Sequence, residues 1–173
     1  VTALDFAFTR LLYLRAVAGC SRRRLHPAQA DVTALPLRDA SFDLIVCTQV
    51  LEHVPSPAGR RALVTRFHRL LAPAGHLLLT VYNYSEPWRR HGAPREGRHA
   101  TGIFYHCYDA EELARELAAF RAVAVRGILN ELPHTYRLWP RLGPLGRACD
   151  HAASRARRLS CRWGHLLLAD ARR

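Results

Sequence analysis

Two apolar runs, Phe42–Cys47 (FDLIVC) and His76–Tyr82 (HLLLTVY), constrain what this chain can fold into more than any other feature. Both are apolar almost without alternation, the pattern of strands buried on both faces, so helices must cover both sides of the sheet they form. Between them Leu63, Phe67, Leu70 and Leu71 recur at i, i+4, i+7 and i+8, with Arg60, Arg61, Arg66 and Arg69 mostly on the opposite side. An amphipathic helix therefore joins the two strands, and Pro73 with Gly75 ends it. Strand, helix and strand of these lengths make a parallel crossover, with the first strand central in the sheet.

The same alternation extends both ways. Thr2–Asp5 reads as the end of a strand, Phe8, Leu11, Leu12 and Ala16 as the apolar face of a helix running to Gly19, and Leu25–Ala30 as a weak strand containing Pro27. Residues 83–108 carry Pro, Gly, Arg and His without a period and read as a long loop or lid. Asp109 followed by Glu112 resembles a capping box for a helix with Leu113, Ala114 and Leu117 on its apolar face, and Ala122–Leu129 follows as a strand. Residues 130–162 form an Arg-rich insertion, with Asp150 the single acid from Pro133 onward, before Gly164–Ala171 closes the chain as a strand. The fold class is thus α/β, a doubly wound and mostly parallel sheet in one domain over residues 1–173.

The composition is globular, at 49% hydrophobic and 23% charged residues, and the formal net charge is +12. All 26 basic residues are Arg, which together with the abundant Ala reads as GC-rich codon usage, so the charge is weak evidence for a polyanionic partner. No apolar run approaches the ~20 residues of a membrane span. Val17-Ala18-Gly19-Cys20 has the look of a lipoprotein cleavage site, but Asp5, Arg10 and Arg15 interrupt the apolar segment it needs. The five Cys form no CxxC pair and no metal-ligand spacing, which reads as reduced thiols of a cytoplasmic protein without a metal site. The sequence contains no Met and starts at Val1, as expected of a fragment or of an alternative start codon translated literally.

In doubly wound sheets ligands bind beyond the carboxyl ends of the strands, so the residues there carry the chemistry. They are Asp5, Asp31 and the stretch Thr48-Gln49-Val50-Leu51-Glu52-His53. A carboxylate in such a place can accept from both hydroxyls of a ribose, and a second can take an adenine amino group.

The block DVTALPLRDASFDLIVCTQVLEHV, followed by a helix and LLAPAGHLLLTVYN, resembles a class I S-adenosylmethionine-dependent methyltransferase of the small-molecule type. The likeness runs from Val1 to about Leu129, and GHLLLADA matches the antiparallel last strand of that family. It implies S-adenosylmethionine as cofactor, with Asp5 and Phe6 at the ribose, Asp31 and Val32 at the adenine, and Thr48 and Gln49 facing the methionine moiety. Glu52 and His53 match a Glu-His pair beside the methyl group. The family opens with a strand and a Gly-rich loop, and neither is found in this sequence; Gly143–Gly146 (GPLG) follows no strand. The expectation is an N-terminally truncated domain that binds the cofactor poorly by itself.

Methyl transfer from a sulfonium is an in-line displacement that asks the protein for alignment and for an acceptor freed of its proton. For a hydroxyl, phenol or carbon acid His53 is the natural base; the alternative is that His53 packs or caps the next turn and Glu52 starts a helix. Within 83–108, Tyr84, Trp88, Arg95, Arg98, His99, Tyr105 and His106 make a mix that could enclose a small-molecule substrate, with Tyr84, Arg95, His99, Tyr105 and His106 the leading candidates. Two competing readings remain. One is a nucleic-acid-directed protein using the Arg-rich insertion on phosphates, although the Asn/Asp-Pro-Pro-aromatic signature of base methyltransferases is replaced by Thr48-Gln49-Val50-Leu51; the other is an inactive remnant.

Overall fold

The structure, a computed structural model, describes residues 1–18, 25–130 and 139–173, in two compact units, Val1–Arg38 and Asp39–Arg173. Gly19 and Cys20 of the sequence reading, and Pro133 to Arg137 of the insertion, lie outside the described residues.

The first unit is strand β1 (Thr2–Asp5), helix α1 (Phe8–Ala18) and strand β2 (His26–Gln29). The strands pair in parallel, Thr2 opposite His26 and Asp5 opposite Gln29. Pro27 is tolerated because the His26 and Ala30 N–H groups on either side of it donate to the Val1 and Asp5 carbonyls, leaving Pro27 at a position that need not donate to β1. At the end of β1, Asp5 Oδ1 accepts the Ala7 N–H at 2.7 Å and turns the chain toward α1. Gln29 Nε2 donates to the Phe6 carbonyl at 2.9 Å. The α1 pattern read as a covered apolar face needs correction. Leu11 is buried, but Phe8 and Leu12 are exposed, because a two-stranded sheet covers only one line of a helix.

The second unit starts with β3 (Phe42–Thr48), a 3-10 turn at Leu51–His53, α2 (Pro57–Leu70) and β4 (Leu71–Tyr82). It continues with α3 (Glu86–Arg90), the hairpin β5 (Glu96–Arg98) and β6 (Phe104–His106), α4 (Ala110–Glu116) and β7 (Ala122–Asn130). A 3-10 turn at Trp139–Leu142, α5 (Pro144–Arg155), α6 (Arg157–Trp163) and β8 (Gly164–Arg172) complete it. The main sheet has the order β3-β4-β8-β7, with β3 parallel to β4 and β8 antiparallel to both its neighbours. The antiparallel last strand is therefore as read from sequence.

The core sits on one side of β4. Leu77, Leu79 and Val81 are fully buried at period two, as are Leu167, Ala169 and Ala171 on β8, while α2 contributes Leu63, Val64, Phe67 and Leu70. Ser56 caps α2 by accepting the Gly59 N–H, an interaction that stabilises a helix by about 1 kcal/mol.

Four expectations change. The run FDLIVC belongs to an outer strand of the four-stranded sheet, and only Cys47 is buried, with Leu44 51% and Val46 60% exposed. β4 begins at Leu71, because the helix ends there and the chain passes Pro73 already extended. The stretch 83–108 is not an unstructured lid but contains α3 and the β5–β6 hairpin, elements of three to five residues that are too short to show a period. Arg60, placed on the polar side of α2, is only 4% exposed, and its Nη1 donates to the Val54 and Pro55 carbonyls. That bond ties the start of α2 to the turn carrying Glu52 and His53.

Candidate active site

The turn after β3 builds the centre of the site. Gln49 adopts a left-handed backbone, φ +53°, and its N–H donates to the Thr80 carbonyl at 2.9 Å, so the chain leaves the sheet abruptly at the strand end. Thr48 and Gln49 are exposed there. Leu51 and Glu52 then turn inward, both fully buried, and His53 stays half-buried at the surface of the unit.

His53 Nδ1 lies 2.7 Å from the Phe104 carbonyl oxygen on β6. A carbonyl only accepts, so this nitrogen carries the proton and Nε2 of the neutral ring keeps its lone pair. Around the imidazole stand Tyr82 at 5.7 Å and His99 at 5.9 Å between ring centroids, both edge-on. Tyr82 also meets His165 at 6.3 Å, His99 meets Tyr105 at 4.8 Å, and Tyr105 meets Trp88 at 6.0 Å. These rings come from the end of β4, the start of β8, α3 and the hairpin, and all lie in the second unit.

Glu52 is a buried carboxyl whose two oxygens have no hydrogen-bond partner among the described residues. Burial pushes its pKa up to about 7, against a smaller opposing pull from the Glu52 and Tyr82 N–H groups, neither of which closes a hydrogen bond. Their own burial first, and the Glu52 charge second, push the Cys47 and Cys107 thiols up to about 12 and raise the Tyr82 phenol.

The other residues read from sequence separate into two groups. His99 and Tyr105 join His53. Arg95 and His106 instead belong to a network of carboxylates: Arg95 pairs with Asp109 at 2.8 Å and with Glu112, while His106 is buried with Nδ1 3.2 Å from Glu96 and Nε2 2.9 Å from Glu112. Asp109 caps α4 through the Glu112 N–H, but the Glu112 side chain goes to Arg95 and His106, so only half of the capping box forms. Tyr84 lies under the Arg89 guanidinium at 4.8 Å and lines a cleft of about 440 Å³ with Asn83, Glu86, Asp109 and Cys161. Among the described residues no group of His, Cys, Asp and Glu is placed to hold a metal. Tyr82 and His165 escaped the sequence reading, although the strand-end rule that selected Thr48 selects Tyr82 equally well.

In the first unit Asp5 lines a hollow of about 600 Å³ with Leu4, Thr9 and Arg10, and Phe6 is 77% exposed beside it. Asp31 Oδ1 accepts both the Thr33 N–H, at 2.8 Å, and its hydroxyl, at 2.7 Å, and the backbone bond above all holds the carboxyl below its usual range. Val32 begins the turn that Asp31 caps.

Residues 11–121 match a family described as a methyltransferase domain. The ubiquinone biosynthesis O-methyltransferase of Idiomarina loihiensis is 33% identical over 84 residues, 48% of this chain and 33% of that enzyme. The aligned stretch thus spans about a third of that curated relative. Among solved structures, a SAM-dependent methyltransferase of Methanosarcina mazei superposes with a TM-score of 0.65 at 16% identity, covering 100% of this chain and 81% of that one. The 1,6-didemethyltoxoflavin-N1-methyltransferase of Burkholderia thailandensis, solved with 1,6-didemethyltoxoflavin and S-adenosylhomocysteine, gives 0.65 at 20% identity, covering 100% of this chain and 60% of that one. The fold is therefore the Rossmann-like α/β fold of these enzymes, and with a family match over 11–121, more than half its length, the chain belongs to the methyltransferase-domain family.

Proposed function

We propose that this chain takes part in methyl transfer from S-adenosylmethionine to the oxygen of a small aromatic acceptor, with His53 as the base. The single observation that carries this reading is the His53–Phe104 bond, which leaves a basic Nε2 among the rings of Tyr82, His99 and Tyr105. A phenol stacks on such rings, and its proton needs an acceptor within hydrogen-bond reach. The O-methyltransferase name of the Idiomarina loihiensis relative supports the same chemistry.

The residues fit the cofactor in kind. Asp5 and Asp31 put a carboxylate after each strand of the first unit, as a ribose diol and an adenine amino group require, with Phe6 and Val32 as their apolar neighbours. Thr48 and Gln49, matched by the resemblance to the stretch that faces the methionine moiety, are exposed at the end of β3 in the second unit. When bound, S-adenosylmethionine supplies a methyl carbon on a sulfonium that departs as a neutral thioether. His53 takes the acceptor proton at Nε2 as the new oxygen–carbon bond forms, while the Phe104 carbonyl holds Nδ1–H and with it the ring orientation. Glu52, buried and with its pKa pushed up to about 7, is divided between its neutral and charged forms near neutral pH.

Calorimetric titration of S-adenosylmethionine and S-adenosylhomocysteine into this chain, and into one extended upstream in its reading frame, tests the cofactor. A panel of phenols, thiols and amines then tests the acceptor. Micromolar binding by either chain and turnover of phenols support the proposal. Failure of both chains to bind would overturn it, and so would turnover confined to amines.

A further inference from the structure

Helix α5 leaves an apolar stripe in solvent. Leu145, Ala148, Cys149 and Ala152 follow at i, i+3, i+4 and i+7, one face of a helix, and all four are exposed, Leu145 at 61%. The side that packs inward is a different one, carrying buried Gly146 and half-buried Ala153. Large apolar side chains continue to either side of the helix, with Leu142 46% exposed before it and Leu159 41% exposed on α6. Exposed arginines are set among them: Arg141 before the helix, Arg147 and Arg155 on it, and Arg158 on α6.

A phosphate-binding surface for nucleic acid asks for the arginines but gains nothing from exposed leucines, whereas the interfacial zone of a bilayer asks for both. Apolar side chains enter the boundary between headgroups and acyl chains, and Arg stems lie along it while the guanidinium reaches lipid phosphate. A helix with a strong apolar face and a basic one lies flat in that zone without crossing it, and no helix among the described residues is long and apolar enough to cross. We propose that the α5–α6 segment docks this protein on the surface of an anionic lipid bilayer, with the Leu145 stripe inserted and the neighbouring arginines on lipid phosphates.

The test is co-sedimentation of the full chain with extruded vesicles of phosphatidylcholine, with and without phosphatidylglycerol, alongside retention by duplex DNA. The chain is expected to pellet with the anionic vesicles and to stay in solution with the neutral ones. Arg147→Gln combined with Arg155→Gln should lower the partition coefficient about thirtyfold, the effect of two arginines at a charged surface. Leu145→Ser should lower it about tenfold without changing the dependence on anionic lipid. All three positions are exposed, so far-UV circular dichroism should match the unsubstituted chain. Absence of binding to anionic vesicles overturns the proposal, as does equal binding to neutral ones. Retention by DNA without binding to vesicles overturns it in favour of nucleic acid.

Discussion

His53 Nδ1 and the Phe104 carbonyl oxygen are 2.7 Å apart, a contact that joins the turn after β3 to the hairpin strand β6 across fifty-one positions of sequence. Because the carbonyl can only accept, the contact selects the tautomer in which Nε2 is the base. His53→Gln keeps polar character at the position but removes the base, so kcat with a phenolic acceptor should fall by about 10²–10⁴ while the Kd for S-adenosylhomocysteine stays the same. The loss should shrink above the pKa of the acceptor, where no proton remains to be taken. A rate profile over pH checks this; an equal loss at every pH would mean that His53 only packs.

Glu52 predicts a pH dependence of stability. The folded protein holds the carboxyl proton up to about pH 7, while the unfolded chain releases it near 4.5. Between those values the unfolded state binds fewer protons, so stability falls as pH rises across the interval and is level above it. The whole fall is about 3 kcal/mol, at 1.36 kcal/mol per pKa unit. Glu52→Gln removes the slope, and the variant should gain on the unsubstituted protein toward neutral pH but not near pH 4. Urea unfolding at a series of pH values measures it, and parallel curves for the two proteins would refute it.

What was legible in the sequence was whatever long periodic segments encode. The β3 and β4 runs, α2 and the last strand follow from hydrophobic pattern, and the stretch Thr48–His53 follows from its place at a strand end. The hairpin that orients His53 was not legible, because strands of three residues such as Glu96–Arg98 have no readable period and pair through a turn at Gly102 with φ +82°. Arg60 was misplaced because helical spacing tells faces apart without showing that the Val54 and Pro55 carbonyls await a donor. Likewise, two carboxylates meeting His106 from β5 and α4 is a tertiary fact that spacing does not contain.

That network yields a third prediction. Glu112 receives both Arg95 and His106 and thereby fastens the β5–β6 hairpin to α4. Glu112→Gln should destabilise the protein by only about 1–2 kcal/mol, since Arg95 is partly exposed and solvent screens part of the pairing. The loosening should be local. Hydrogen exchange should accelerate at the Cys107 and His99 amides, which donate to Arg95 and Ile103, while the Leu77–Val81 core of β4 keeps its protection. Uniform acceleration throughout would show that the network supports the whole unit.

Gly127 on β7 meets the backbone of α6, where an added Cβ would lie 1.8 Å from the Ser160 carbonyl oxygen and 2.3 Å from its carbon. Both are main-chain atoms of α6, so no side-chain rotation relieves the overlap, and α6 must withdraw from the sheet. The withdrawal would also break the bonds from Asn83 Nδ2 to the Cys161 and Gly164 carbonyls, at 2.8 and 2.6 Å, which hold the junction of α6 and β8. Gly127→Ala should therefore cost more than about 4 kcal/mol. Gly92→Ala is the control: its φ of +65° strains an Ala, but nothing stands within 4 Å, so the loss should be about 1 kcal/mol. Thermal unfolding of the two variants separates backbone overlap from backbone strain, and equal midpoints would show that α6 does not press on β7.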